Sequence, residues 1–311
     1  MKRVQYFFFL LIFSITSVIA QKPVLKAKSA NEKTTAVKSL LWEISGNGIT
    51  RPSYLFGTMH LLCKDDALLS KKLQEIIANS AAVYLELDMD NLAELLGIFK
   101  YMNMKDDKKL SDYLTDEEVK RIKNWFKTNQ PLIPAAMVDK MKPVFLSSMI
   151  GGTAFDCDQQ DGMEMRIMEE ASKYNIEING LETMAYQAGI MDSIPYEVQA
   201  RELLKSIDSA FVQDSSLKEM IALYKKQDID KLDSLLNKSE GEMAKYNEYL
   251  LYRRNSNWVE KIKDIVKDNS FLFAVGAGHL PGDRGVIALL RKAGFTVKPV
   301  INTWQLPVSE M

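Results

Sequence analysis

Two apolar runs in this chain end in the same kind of turn. Ser53-Tyr54-Leu55-Phe56 leads into Gly57-Thr58-Met59-His60, and Phe271-Leu272-Phe273-Ala274-Val275 leads into Gly276-Ala277-Gly278-His279. These turns hold the only 2 histidines of 311 residues. Each run reads as a strand and each turn passes into a helix-like segment. That constrains the fold, because open α/β sheets place ligands beyond the carboxyl ends of their strands. Histidine takes and gives protons near neutral pH, and its neutral ring is a common metal ligand. Two isolated structural histidines are the plainer alternative, but the matched contexts favour a working pair.

Composition adds limits. Net charge is −1 and the pI is about 6.2, so nothing points to nucleic acid or an anionic membrane. Lys2 and Arg3 precede an apolar run, Tyr6 to Ile15, that ends in Ser17-Val18-Ile19-Ala20. This reads as a signal peptide over residues 1–20, cleaved before Gln21, rather than a retained anchor. The expected destination is periplasmic or extracellular, with no stable membrane span after cleavage. Residues 21–39 read as a flexible lead-in. Cys63 and Cys157 read as a disulfide in an oxidising compartment, with free thiols and a nucleophilic Cys63 as the alternatives.

Along the chain, Leu40 to Ile44 and Tyr54 to Phe56 read as a hairpin around Asn47-Gly48. A helix is expected over 66–79. Ala82 to Asp88 reads as a strand ending in acids, among them Glu86. Residues 91–268 are mainly helical, with a capping box at Thr115-Asp116-Glu117-Glu118 and a division at Pro143. One strand interrupts them, Ile176 to Glu182, and it too ends in an acid. A helix over 286–292 and a strand over 296–300 close the fold. This is an α/β pattern of mixed α+β character: a central mixed sheet, flanking helices and a large helical insertion. A single domain is expected over 40–302, with a tail over 303–311.

Four strands thus end in His60, Glu86, Glu182 and His279, which only the sheet can bring together. Two imidazoles and a carboxylate suit a catalytic divalent metal (Mn, Co or Zn), giving a metal set of His60, His279 and Glu86. The same groups could work without metal, His60 as general base and Glu86 orienting it. Solvated acids at strand ends are the plain reading of Glu86 and Glu182. Gly276-Ala277-Gly278 through Gly282 matches a dinucleotide loop poorly, and no acid ends the next strand, so no nucleotide cofactor is expected. Gly57, Gly276, Gly278 and Gly282 read as turn residues. Arg254 lies on a helix, either solvated or turned inward to balance the acids or hold a substrate carboxylate.

Together these residues resemble the TraB/GumN family, which includes the Tiki proteins. The resemblance runs over about residues 40–302. It rests on Trp42, the Tyr54–His60 block, Glu86-Leu87-Asp88, Gly162 with Glu164, Gly180-Leu181-Glu182-Thr183 with Gln187, Arg254-Asn255, and Ala274 to Leu280 with Gly282 and the Gly285 region. It implies an erythromycin-esterase/ChaN-like fold. Tiki members imply a metal-dependent protease, with His60, His279 and Glu86 as ligands or catalytic groups. The related esterases imply a metal-independent His/Glu mechanism. Glu164 stands where many members carry Asp. The leading expectation is an exported, metal-dependent, peptidase-like hydrolase acting on a peptide or other carbonyl compound, with Glu182 and Arg254 supporting the site. The rivals are an envelope protein that binds a peptide, glycan or metal without turnover, and a metal-free esterase.

Overall fold

The apolar runs that read as strands assemble into one sheet. The computed structural model describes residues 37–152, 155, 157, 159–209, 215–238 and 242–304. The expected signal segment, residues 21–36 of the lead-in and residues 305–311 of the tail lie outside the described residues. Among the described residues the strands are β1 (Leu41–Gly46), β2 (Ser53–Thr58), β3 (Leu62–Cys63), β4 (Ala82–Leu87), β5 (Gln160–Asp161), β6 (Glu177–Glu182), β7 (Leu272–Gly276) and β8 (Phe295–Pro299). The helices begin with α1 (Lys71–Ala78), α2 (Leu92–Tyr101), α3 (Asp116–Asn129), α4 (Ala135–Lys140), α5 (Pro143–Gly151) and α6 (Met163–Ser172). They continue with α7 (Met184–Met191), α8 (Tyr196–Ser209), α9 (Ser215–Lys225), α10 (Ile229–Lys238), α11 (Arg253–Ile265) and α12 (Val286–Lys292).

Six strands form a mixed sheet in the order β6-β4-β7-β2-β1-β8. β6, β4, β7 and β2 run parallel, whereas β1 pairs antiparallel with both β2 and β8. The chain is therefore an α/β protein with its carboxyl strand ends gathered on one edge. β7 lies inside the sheet, and Leu272, Phe273, Ala274 and Val275 are all buried, as a parallel strand covered on both faces requires. The hairpin turns through Asn47 (φ 51°) and Gly48 (φ 81°), the left-handed pair that Asn-Gly favours.

One apolar core joins the sheet to Leu73, Ile76 and Ile77 of α1, Ile167 of α6, Trp258 of α11 and Leu290 of α12. A second core belongs to the helical insertion and joins Ile122, Phe126, Val138, Leu146 and Leu203. The capping box forms: Thr115 accepts from Glu118 N, and Glu118 accepts from Thr115 N. α5 begins at Pro143, where an absent N–H costs nothing. The first helix starts later than its expected onset at 66. Ser70 caps it by accepting from Leu73 N, while residues 62–63 form a strand and 64–66 a turn. The short β3–β5 ladder was not foreseen, because two-residue strands carry no readable alternation.

Candidate active site at the carboxyl ends of four parallel strands

Parallel pairing of β2, β7, β4 and β6 delivers His60, His279, Glu86 and Glu182 to one end of the sheet. Glu86, Glu182 and His279 are buried, and the His60 side chain keeps 27% of its accessible surface. A Cβ placed on Gly276 would lie 3.2 Å from Glu86 Oε1, 3.5 Å from His279 Cδ2 and 3.7 Å from His60 Nε2. The three side chains thus converge over that glycine. Gly57 has a related purpose: a Cβ there would lie 2.7 Å from Leu280 Cδ1 and 3.1 Å from Ala277 Cα, so it lets the second turn pack on the first. Of the four glycines expected to turn the chain, Gly282 alone takes a positive φ (78°). Gly57, Gly276 and Gly278 have ordinary backbone angles and serve close approach instead.

Arg254 stands at the centre. A π-turn, Glu248–Tyr252, precedes α11, and Arg254 Nη1 donates to the carbonyl of Leu250 inside it at 3.0 Å. Nη1 also reaches His279 Nε2 at 3.2 Å, and Nε donates to Glu182 Oε1 at 2.9 Å. Nη2 donates to Glu86 Oε2 at 2.5 Å and Glu182 Oε1 at 2.6 Å. A guanidinium has five N–H donors, and these contacts use all of them. Arg254 is therefore turned inward against the acids, with no N–H left for a substrate carboxylate. Trp258 Nε1 donates to Glu182 Oε2 at 3.1 Å, and Gln187 Nε2 to Glu182 Oε1 at 3.2 Å.

The charges follow from these contacts. Burial opposes ionisation of Glu86, but Arg254, both histidines and the Gly276 N–H (2.8 Å from Oε1) hold its carboxyl well below the usual range. Glu182 is pushed up, chiefly by burial, against the pull of Arg254. His279 Nδ1 lies 2.6 Å from Asn255 Oδ1, and Asn255 Nδ2 donates to the carbonyl of Arg284. That second bond orients the amide, so Oδ1 accepts from an Nδ1–H and Nε2 accepts from Arg254. His279 is a neutral ring, lowered to about 3 by burial and by Arg254.

His60 is bonded in the opposite sense. Its Nδ1 lies 2.6 Å from Oε1 of the buried Glu164, and its Nε2 has no protein hydrogen bond among the described residues. Burial works against the charged ring, yet the charge and hydrogen bond of Glu164 lift it to about 9. Glu164 is lowered in turn: burial opposes its charge, and His60 outweighs burial. The carboxylate that orients His60 is thus Glu164 rather than Glu86. No role for Glu164 was readable, because 104 residues separate it from His60. The same holds for Asn255 beside His279; both residues stood among those that carry the family resemblance, but without a partner assigned to either.

A divalent ion on His60, His279 and Glu86 needs open lone pairs on all three. His279 Nε2 and Glu86 Oε2 both face the guanidinium of Arg254, and Glu86 Oε1 already accepts from Gly276 N. Among the described residues no group of three or more His, Cys, Asp or Glu side chains is placed to hold a metal. As arranged, the residues do not fit the ion.

The other expected pair is also in place: Cys63 and Cys157 form a disulfide with Cα atoms 5.9 Å apart. No helix among the described residues is long and apolar enough to cross a membrane.

Fold and site define an α/β protein with a buried His/Glu/Arg cluster at the carboxyl ends of its parallel strands. The chain belongs to the TraB/PrgY/gumN family, whose model matches residues 40–299. It is 20% identical to Metalloprotease TIKI1 of Xenopus tropicalis, over 93% of this chain and 66% of that protein. It is 19% identical to Metalloprotease TIKI2 of Danio rerio, over 86% of this chain and 63% of that protein. A local match to the Metalloprotease TIKI homolog of Amphimedon queenslandica reaches 33% identity over 25% of this chain and 16% of that protein. The chain therefore spans just under two thirds of the length of the two longer-matching relatives. No solved structure matches.

Proposed function

We propose that the chain is an exported hydrolase of peptides or other carbonyl compounds in which His60 moves the proton. The observation that carries this is the ring of His60: Nδ1 is anchored on a buried carboxylate, and Nε2 lies over Gly276 near Glu86 Oε1 with no protein hydrogen bond among the described residues. Once neutral, His60 takes a proton from a water through Nε2, and Glu164 balances the charge that appears on the ring. Glu86 Oε1 faces the same point and orients that water. Arg254 holds Glu86 and Glu182 apart and keeps His279 neutral, so it supports the site from behind. The relatives' names support a peptide substrate. The apolar, basic-led N-terminus and the disulfide support export.

A second reading is the metal-dependent one, favoured by those same names. It requires Arg254 to leave His279 Nε2 before a divalent ion could use that nitrogen. One experiment separates the readings: purified chain is screened on peptides and esters with chelator, Mn²⁺, Co²⁺ or Zn²⁺, beside elemental analysis. The first reading expects turnover that survives chelation and falls about 10²–10⁴-fold in His60→Ala. Turnover that vanishes with chelator and returns with stoichiometric metal supports the second. Saturable peptide or glycan binding with no turnover under any condition contradicts both.

A further inference from the structure

Glu164 reaches His60 by a route that no other residue of the crevice uses. β3 begins two residues after His60, and β5 ends three residues before Glu164. The two strands pair Leu62 with Asp161 and Cys63 with Gln160. Lys64 N extends the ladder to Gln159 O at 2.9 Å, and Met163 N donates to Met59 O at 3.1 Å. The backbones touch at Gly162, where a Cβ would lie 2.4 Å from His60 O. This ladder is only two residues long per strand, and so small an isolated ribbon is marginal in water. The Cys63–Cys157 disulfide bolts it, joining positions 94 apart in sequence. The carboxylate it delivers has one firm anchor. Glu164 Oε1 meets His60, and the buried Oε2 makes no well-formed hydrogen bond among the described residues. His279 owes nothing to this clamp, since its partners Asn255 and Arg254 both lie on α11.

We propose that Glu164 is the positioning residue that makes His60 the proton-moving histidine, and that the Cys63–Cys157 clamp sets Glu164 in place. This rests on the reading of His60 given above. It predicts that the crevice is fully assembled only in the oxidised chain, with the loss on reduction confined to the His60 side.

The test uses ¹⁵N imidazole spectra of the purified chain without substrate, so it is read whether or not a hydrolase substrate is found. Oxidised wild type should show a His60 Nδ1 proton protected from exchange. After reduction by dithiothreitol that proton should exchange at least ~10-fold faster, with the His279 signals unmoved. Glu164→Gln, with the disulfide intact, should remove the carboxylate-bound signature of His60, and Glu164→Asp should keep it. Where turnover is measured, Glu164→Gln should lower kcat about 10²-fold or more at unchanged KM, with Glu164→Asp restoring much of it. A His60 signature unchanged by reduction overturns the clamp. So does a reduced chain that unfolds altogether and loses His279 too, because the bond would then hold the whole fold. A signature or kcat unchanged in Glu164→Gln overturns the positioning role.

Discussion

His60 and His279 follow parallel neighbouring strands with the same Gly-x-x-His spacing, yet their rings are bonded in opposite senses. His279 donates from Nδ1 to an amide oxygen and accepts at Nε2 from Arg254, with its ring 4.5 Å from that of Trp258. His60 has a carboxylate at Nδ1 and, among the described residues, no hydrogen-bond partner at Nε2. The difference lies in what packs behind each turn: α11 brings a cation and an amide to one, and α6 brings an acid to the other. The first ring is thereby held in its charged form against a carboxylate, and the second is a neutral member of a closed network. A shared motif places a ring at the crevice; its neighbours decide what the ring does.

The largest expected effect is at the group that enforces this difference. Arg254→Met leaves Glu86 and Glu182 buried without their cation, and should destabilise the fold by about 3–5 kcal/mol in chemical denaturation. A loss within experimental error would mean that the acids are not paired as described. Next comes the split between the two rings. His60→Ala should cut turnover about 10²–10⁴-fold and, because it leaves Glu164 buried without its partner, should also destabilise the fold. His279→Ala strands Asn255 and Arg254 and should cost about 1–3 kcal/mol of stability.

The pH dependence should also have two sides. His60 is raised to about 9 from an unfolded value near 6.5, so its contribution is complete below about 6.5 and is lost as pH rises through about 9. His279 is lowered to about 3, so its contribution is present above about 6.5 and is lost as pH falls toward 3. Each should slope by at most about 1.4 kcal/mol per pH unit. Denaturation of wild type and His60→Gln from pH 6 to 10 should show the alkaline slope in wild type alone. If neutral His60 is the base, turnover should rise about tenfold per pH unit up to about pH 9. The smallest effect should come from Thr58→Ala, which copies Ala277 of the second turn into the first. The Thr58 hydroxyl helps hold the Glu164 carboxyl low, although the two make no well-formed hydrogen bond. Its removal should cost about 1 kcal/mol or less and lower the His60 pKa slightly, read by NMR titration.

The crevice was legible wherever a strand carried its own signal. Apolar runs ending in Gly57, Glu86, Glu182 and Gly276 are local patterns, and parallel pairing gathers their ends at one edge. What could not be read is which acid meets which ring. Glu86 and Glu164 are both carboxylates, and the choice between them is made by the two-residue ladder β3–β5 and by Arg254 claiming Glu86. The π-turn before α11 was likewise invisible, since Glu248–Tyr252 has an ordinary helical composition. The metal set was chosen by residue type, which cannot register a guanidinium lying against two of its three members.

The opposed states of the two rings are the centre of this account, and a chain with only 2 histidines lets them be read directly. Titration of both imidazoles by NMR in the purified, oxidised chain should give one ring near pKa 9 and a second that stays neutral until about pH 3. Assignment by His60→Gln should identify the first as His60. Two rings that both titrate near 6.5, or the opposite assignment, would contradict it.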